Sequence, residues 1–123
     1  KHEEILDLEA EAKDKLKAFV LNHHVQNNPV EAIVGIGIPY EVITEVAHQQ
    51  KADLIVIGAY GKGYFEGRFI GSHLQKVLMM ADCPVLAVKN PLHSSDLESM
   101  VFACLFNEMS KPSFEKMKPF RNL

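Results

Sequence analysis

Four residues spaced Gly58-x2-Gly61-x9-Gly71-Ser72 have the types that hold a phosphate group mainly through backbone. Glycines at 58 and 61 let the chain turn sharply with no Cβ between it and a ligand. Gly71 bares the N–H groups at a helix start, where the helix dipole also favours an anion, and Ser72 adds a hydroxyl donor. His73, in the first turn, brings another backbone N–H, and Lys62 offers a point charge in the loop. If Gly58 or Gly61 required φ > 0, alanine there would cost roughly 1–2 kcal/mol. A purely structural reading of the same residues has Gly58 ending a strand, Gly71 permitting close helix–sheet packing and Lys62 solvated.

The elements that would position these groups are legible on either side. Leu54-Ile55-Val56-Ile57 is a short β-branched run of the kind buried in parallel sheets. A glycine-punctuated loop follows, then a periodic helical segment from His73 to Ala81. Pro84 introduces a second strand, Val85 to Val88. Strand, loop, helix, strand is the βαβ plan, in which the loop at a strand's carboxyl end faces a helix N-terminus.

The spacing, together with the words ADLIVIGAYG, GSHLQKVL and CPVLAVK, resembles the universal stress protein family and its nucleotide-binding signature G-x2-G-x9-G-(S/T). The resemblance implies an α/β fold, a doubly wound parallel sheet with flavodoxin-like layering. It implies binding of an adenine nucleotide, ATP with Mg, at Gly58, Gly61, Lys62, Gly71, Ser72 and His73. It also implies a role in stress response, and pairing of subunits or tandem units (a homodimer, for instance) through the last strand, Val85 to Val88.

Length and composition set the frame. A chain of 123 residues makes one domain with a core and is too short for two. The net charge of −3, without a basic run, argues against a nucleic-acid binder driven by phosphate neutralisation. No apolar run approaches the roughly 20 residues of a membrane span, which gives no reason to place the chain in a membrane. The charged start, KHEEILDLEAEAKDKL, does not read as a signal peptide, and Cys83 and Cys104 have no metal or redox spacing, so a cytoplasmic setting is expected. Residue 1 is Lys and the chain opens inside a helical pattern, so a segment of a longer protein is expected.

Residues 3–21 carry Ile5, Leu8, Ala12, Leu16 and Phe19 or Val20 at helical spacing, as in a sheet-covering helix, with Glu9–Lys13 and Glu11–Lys15 placed for i,i+4 pairing. His23 and His24 are adjacent, so their side chains do not converge on a metal, and no thiol or acidic cluster accompanies them. Glu31 to Ile36 reads as a strand, closed by Gly37-Ile38-Pro39. Val42, Ile43, Val46 and Ala47 mark a helix that Pro39 starts and that ends near Gln50. His48 reads as a surface residue.

By the resemblance, residues 1–90 correspond to helix 2 through strand 5 of a family unit, with strand 1, helix 1 and strand 2 missing. Residues 91–99 form a linker. Residues 100–123 resemble the strand and helix that begin a second unit, or else fill the empty strand 1 slot beside Leu54–Ile57. Phe114, Met117 and Phe120 fall at helical spacing there, and Pro119 should kink or shorten the helix. Leu105 stands where the family has an Asp that helps hold the nucleoside, and Asn107 where Ser is usual. Losing one such hydrogen bond costs on the order of 1–3 kcal/mol, enough to move micromolar binding toward millimolar. Two other readings follow: an interaction or regulatory module that binds no nucleotide, and a weak ATPase, for which Asp53 and Glu66 lack an evident catalytic partner.

Overall fold

The computed structural model describes residues 1–23, 29–58, 71–88, 99, 101–105 and 107–122. They fall into two compact units, Lys1–Val42 and Ile43–Leu123.

The first unit begins with α1, His2–Asn22. Glu3 and Glu4 occupy its first turn, where carboxylates favour the positive end of the helix dipole. Lys15 lies 2.6 Å from Glu11, the i,i+4 pair expected from the sequence. The helix stops at His23, whose backbone N–H donates to the carbonyls of Phe19 (3.1 Å) and Val20 (3.3 Å). The His23 ring stacks on Phe19 at 4.3 Å, and its Nδ1 lies 3.0 Å from the Phe19 carbonyl.

No residue of α1 is buried, and Ile5, Leu8 and Phe19 stand exposed. The apolar stripe is present, but the described part of this unit holds no sheet for it to cover. The strand expected at Glu31–Ile36 is absent for a related reason. These residues carry no ladder, and the described part of their own unit holds no strand to pair with them. A strand exists only through hydrogen bonds to a neighbour.

Gly37, at φ +139°, turns the chain toward α2 (Pro39–Gln49). Pro39 is the first helical residue, where its missing N–H costs nothing. A Cβ on Gly35 would overlap Cγ1 of Val42, so this glycine sits where the loop passes close to the first turn of α2. Along α2, Val42, Ile43, Val46 and Ala47 are half-buried, while Glu41, Glu45, His48 and Gln49 are exposed, matching the stripe read from the sequence.

The helix ends in a left-handed cap. Lys51 has φ +50°, its N–H donates to the His48 carbonyl (3.1 Å), and the Ala52 N–H donates to the Ala47 carbonyl (2.9 Å). Glycine usually fills such a position, because a Cβ disfavours φ > 0.

The centre of the second unit is β1 (Ile55–Gly58), α3 (Ser72–Met80) and β2 (Val85–Val88). The strands are parallel, with Ile55 beside Val85 and Gly58 beside Val88. Pro84 cannot donate, but its carbonyl accepts from the Ile55 N–H at 2.9 Å and so begins the ladder. Among the described residues Ile55, Leu74 and Val77 are the buried apolar side chains, and Val77 is fully enclosed. Leu74 and Val77 are three apart, so α3 turns one face inward and leaves Met79 and Met80 exposed. Side chains alternate along a strand, so Val56 lies on the opposite face from Ile55, with its register partner Leu86. Both are exposed.

The second unit also holds α4 (Ser110–Met117) and a 3-10 turn, Lys118–Asn122. The Asn107 side-chain oxygen accepts from the Met109 N–H (3.2 Å) and the Ser110 hydroxyl (3.1 Å), fixing the entry to α4. Pro119 has no N–H to continue the i→i+4 pattern, and the helix tightens to 3-10 just before it, the shortening its sequence position implied. The strand expected over Met100–Phe106 carries no ladder at 101–105; residues 100 and 106 lie outside the described residues.

Candidate functional site

Gly58 closes β1 at its carboxyl end, and α3 begins at the same side of the βαβ unit. Gly71 occupies the N-cap position with φ −55° and ψ 146°, and no side chain caps the helix. Gln75 is the first residue to bond back along the helix, its N–H meeting the Gly71 carbonyl at 3.1 Å. Amides of the turn before it have no acceptor within the helix, which is general at helix starts. The first turn carries no acidic side chain, so nothing there opposes an anion. Ser72 and His73 are exposed at this end, while Leu74 and Val77, in the next turn, anchor the helix to the core.

Gly58, Gly71, Ser72 and His73 therefore stand where the sequence placed them, at a strand's carboxyl end and at the following helix start. Gly61, Lys62 and Glu66 lie outside the described residues. Gly58 is a strand residue without positive φ, and Gly71 has backbone angles open to any residue. What glycine offers at these two positions is the missing Cβ, not an unusual conformation.

A second polar cluster sits at the opposite, amino-terminal end of the strands, and nothing in the sequence pointed to it. His48 Nδ1 and Asp82 Oδ2 are 2.6 Å apart, joining the end of α2 to the turn before β2. The partners are 34 residues apart in sequence, so no local pattern marks the pair. With Ala47, Lys51, Ala52 and Cys83 they line a cavity of about 230 Å³. Lys116 of α4 donates to the Asp82 carbonyl at 2.6 Å. Cys83 and Cys104 are free thiols, both half-buried. Among the described residues no three His, Cys, Asp or Glu side chains group to hold a metal. Also among them, no helix is long and apolar enough to cross a membrane.

Fold and site together define an α/β protein built on a parallel βαβ unit, with Gly58 ending its first strand and Gly71 capping its helix. The model of the universal stress protein family matches residues 1–89, and the chain belongs to that family. A universal stress protein of Methanocaldococcus jannaschii is 47% identical over 55 residues, which are 45% of this chain and 32% of the relative. One of Thermus aquaticus is 46% identical over 59 residues, 48% of this chain and 43% of the relative. A universal stress protein A-like protein of Arabidopsis thaliana is 31% identical over 74 residues, covering 60% and 42%. The chain thus spans less than half the length of each of these three relatives.

Proposed function

We propose that this chain binds an adenine nucleotide, ATP with Mg, as part of a protein acting in a stress response. The observation that supports the reading is that Gly58 ends β1 and Gly71–Ser72 begins α3 within one parallel βαβ unit. Such a helix start presents backbone donors and a positive dipole end to phosphate oxygens. Ser72 contributes a hydroxyl to the same oxygens, the His73 backbone N–H joins them, and Gly61 and Lys62 complete the loop. Where residues 100–123 fill the strand 1 slot, Leu105 stands in place of a carboxylate and gives the nucleoside no polar partner, so that phosphate recognition would dominate the affinity. Free thiols at Cys83 and Cys104 suit a reducing, cytoplasmic setting. Pairing with a second copy or a tandem unit runs through β2, whose only partner among the described strands is β1.

Calorimetric titration of the chain with Mg-ATP tests the reading, with Gly71→Val as control. Valine adopts φ −55°, ψ 146° without strain, so the variant keeps its fold and only places bulk where the phosphate would sit. A dissociation constant on the order of 10 μM to 1 mM, lost in Gly71→Val, is expected. Binding unchanged in the folded variant, or no heat from the folded parent, would refute it.

A further inference from the structure

Cys83 and Cys104 are 21 positions apart in sequence, too far to read as a redox motif, yet the fold brings their surroundings together. Cys83 is half-buried in the turn before β2 and lines a cavity of about 440 Å³. The same cavity is lined by Val101, Phe102 and Ala103, the three residues that lead to Cys104. Exposure along 101–105 alternates one by one, as in an extended chain, so Cys104 shares the sheltered side with Phe102. Phe102 shows where that side faces: besides lining the cavity, it rests edge-on against Phe114 of α4 at 5.3 Å. Cys104 is half-buried in turn.

We propose that Cys83 and Cys104 form a reversible disulfide under oxidation, which fastens residues 101–105 and α4 to the turn before β2. The bridge lies at the amino-terminal end of the strands, away from Gly58 and Gly71, and does not depend on nucleotide binding.

In the reduced chain α4 is tied to this turn by Lys116, whose exposed ammonium donates to the Asp82 carbonyl at 2.6 Å. Cys83 also lines a neighbouring cavity with Lys116, Pro119 and Phe120, so it faces the α4 region on more than one side. A disulfide needs the two Cα atoms within about 7 Å of each other. Residues 101–105 carry no ladder, so they can close on Cys83 without breaking a sheet hydrogen bond. The bond would draw the segment toward the turn it already lies against, along the side on which Phe102 and Phe114 are packed.

The oxidant is a hydroperoxide, hydrogen peroxide in the simplest case. The thiolate of one cysteine attacks a peroxide oxygen, the O–O bond breaks, and a sulfenic acid forms as water leaves. The second thiol attacks the sulfenic sulfur, making the S–S bond and releasing the sulfenic oxygen as a second water. Two thiols thus give up two electrons and two protons, and the peroxide takes both pairs. A small dithiol reverses the step by exchange. In a reducing compartment, bridges of this kind are transient and report oxidants.

Hydrogen peroxide treatment of the reduced, folded chain, without nucleotide, tests this separately from the phosphate reading. Mass spectrometry of the monomer after trypsin, which cuts at Lys89 between the two cysteines, is expected to find their peptides joined and two hydrogens lighter. Because the bridge fits the folded arrangement, the oxidised monomer should melt roughly 5–15 °C higher than the reduced one. Dithiothreitol should reverse the rise, which separates it from methionine oxidation, and peroxide should not raise the Tm of Cys104→Ser. Three outcomes would overturn the proposal. In the first, the thiols stay free or oxidise singly in the monomer. In the second, the bridge joins two copies. In the third, the bridge forms but the Tm is unchanged or lower, so that it does not fit the fold described.

Discussion

Replacing Lys51 by glycine should stabilise the second unit. Lys51 is the one described residue other than glycine with positive φ, at +50°. It is held there by the cap that ends α2, in which its own N–H and that of Ala52 bond back to His48 and Ala47. A side chain in this left-handed region costs roughly 1–2 kcal/mol relative to the right-handed one. Glycine removes that cost but gives the unfolded chain more freedom, which takes back about 0.5–1 kcal/mol. The Lys51 side chain is exposed, so little packing is lost with it. The net gain is about 0.5–1 kcal/mol, a rise in Tm of roughly 2–6 °C for a unit of this size. Urea unfolding followed by circular dichroism gives the free energy, and scanning calorimetry gives the Tm. An unchanged or lower midpoint at the same m-value would mean that the left-handed cap at Lys51 is not formed in solution.

Two further outcomes are expected. Val77→Ala removes two methyl groups from the fully enclosed side chain and should cost about 2–3 kcal/mol, read as a lower urea midpoint; a loss under about 0.5 kcal/mol would mean that α3 does not seal the core. Lys15 donates a hydrogen bond to the Glu11 carboxylate and attracts it, holding its pKa below the ordinary 4.5. The unfolded chain therefore takes up this proton more readily than the folded one. The pair's contribution is present above about pH 4.5 and fades as pH falls through the lowered folded value. Carboxyl-resolved NMR titration should show Glu11 titrating late on acidification, and Lys15→Ala should return it to the ordinary range.

Much of this architecture was legible because its signals are local. Pro39 marked the first residue of α2, and the stripe from Val42 to Ala47 gave its buried side and its end to within a residue. Pro119 marked where α4 gives way to a 3-10 turn. The order of β1, α3 and β2, and the places of Gly58, Gly71 and Ser72 within it, followed from a β-branched run, a glycine loop and a helical period. The strands expected at 31–36 and 100–106 were a different matter, since a strand is a relation between two segments and sequence period records only one of them. The same gap explains α1: its spacing names an apolar face but says nothing about what lies opposite. His48–Asp82 and the cap at Lys51 were invisible for opposite reasons, one being distant in sequence and the other using a residue that does not advertise a left-handed turn.

The location of the core has a consequence for the order of folding. Ile55, Leu74 and Val77 all fall within 23 consecutive residues, and β2 closes the ladder only eleven residues after Val77. Loops that short are closed early, because contacts near in sequence cost little chain entropy to make. The βαβ unit therefore has the makings of a folding nucleus, and Gly58 and Gly71 lie in sequence between two of its members, Ile55 and Leu74. Both glycines are set in place by the step that forms the core, so that the proposed phosphate site would be assembled with the nucleus and not added to a finished fold.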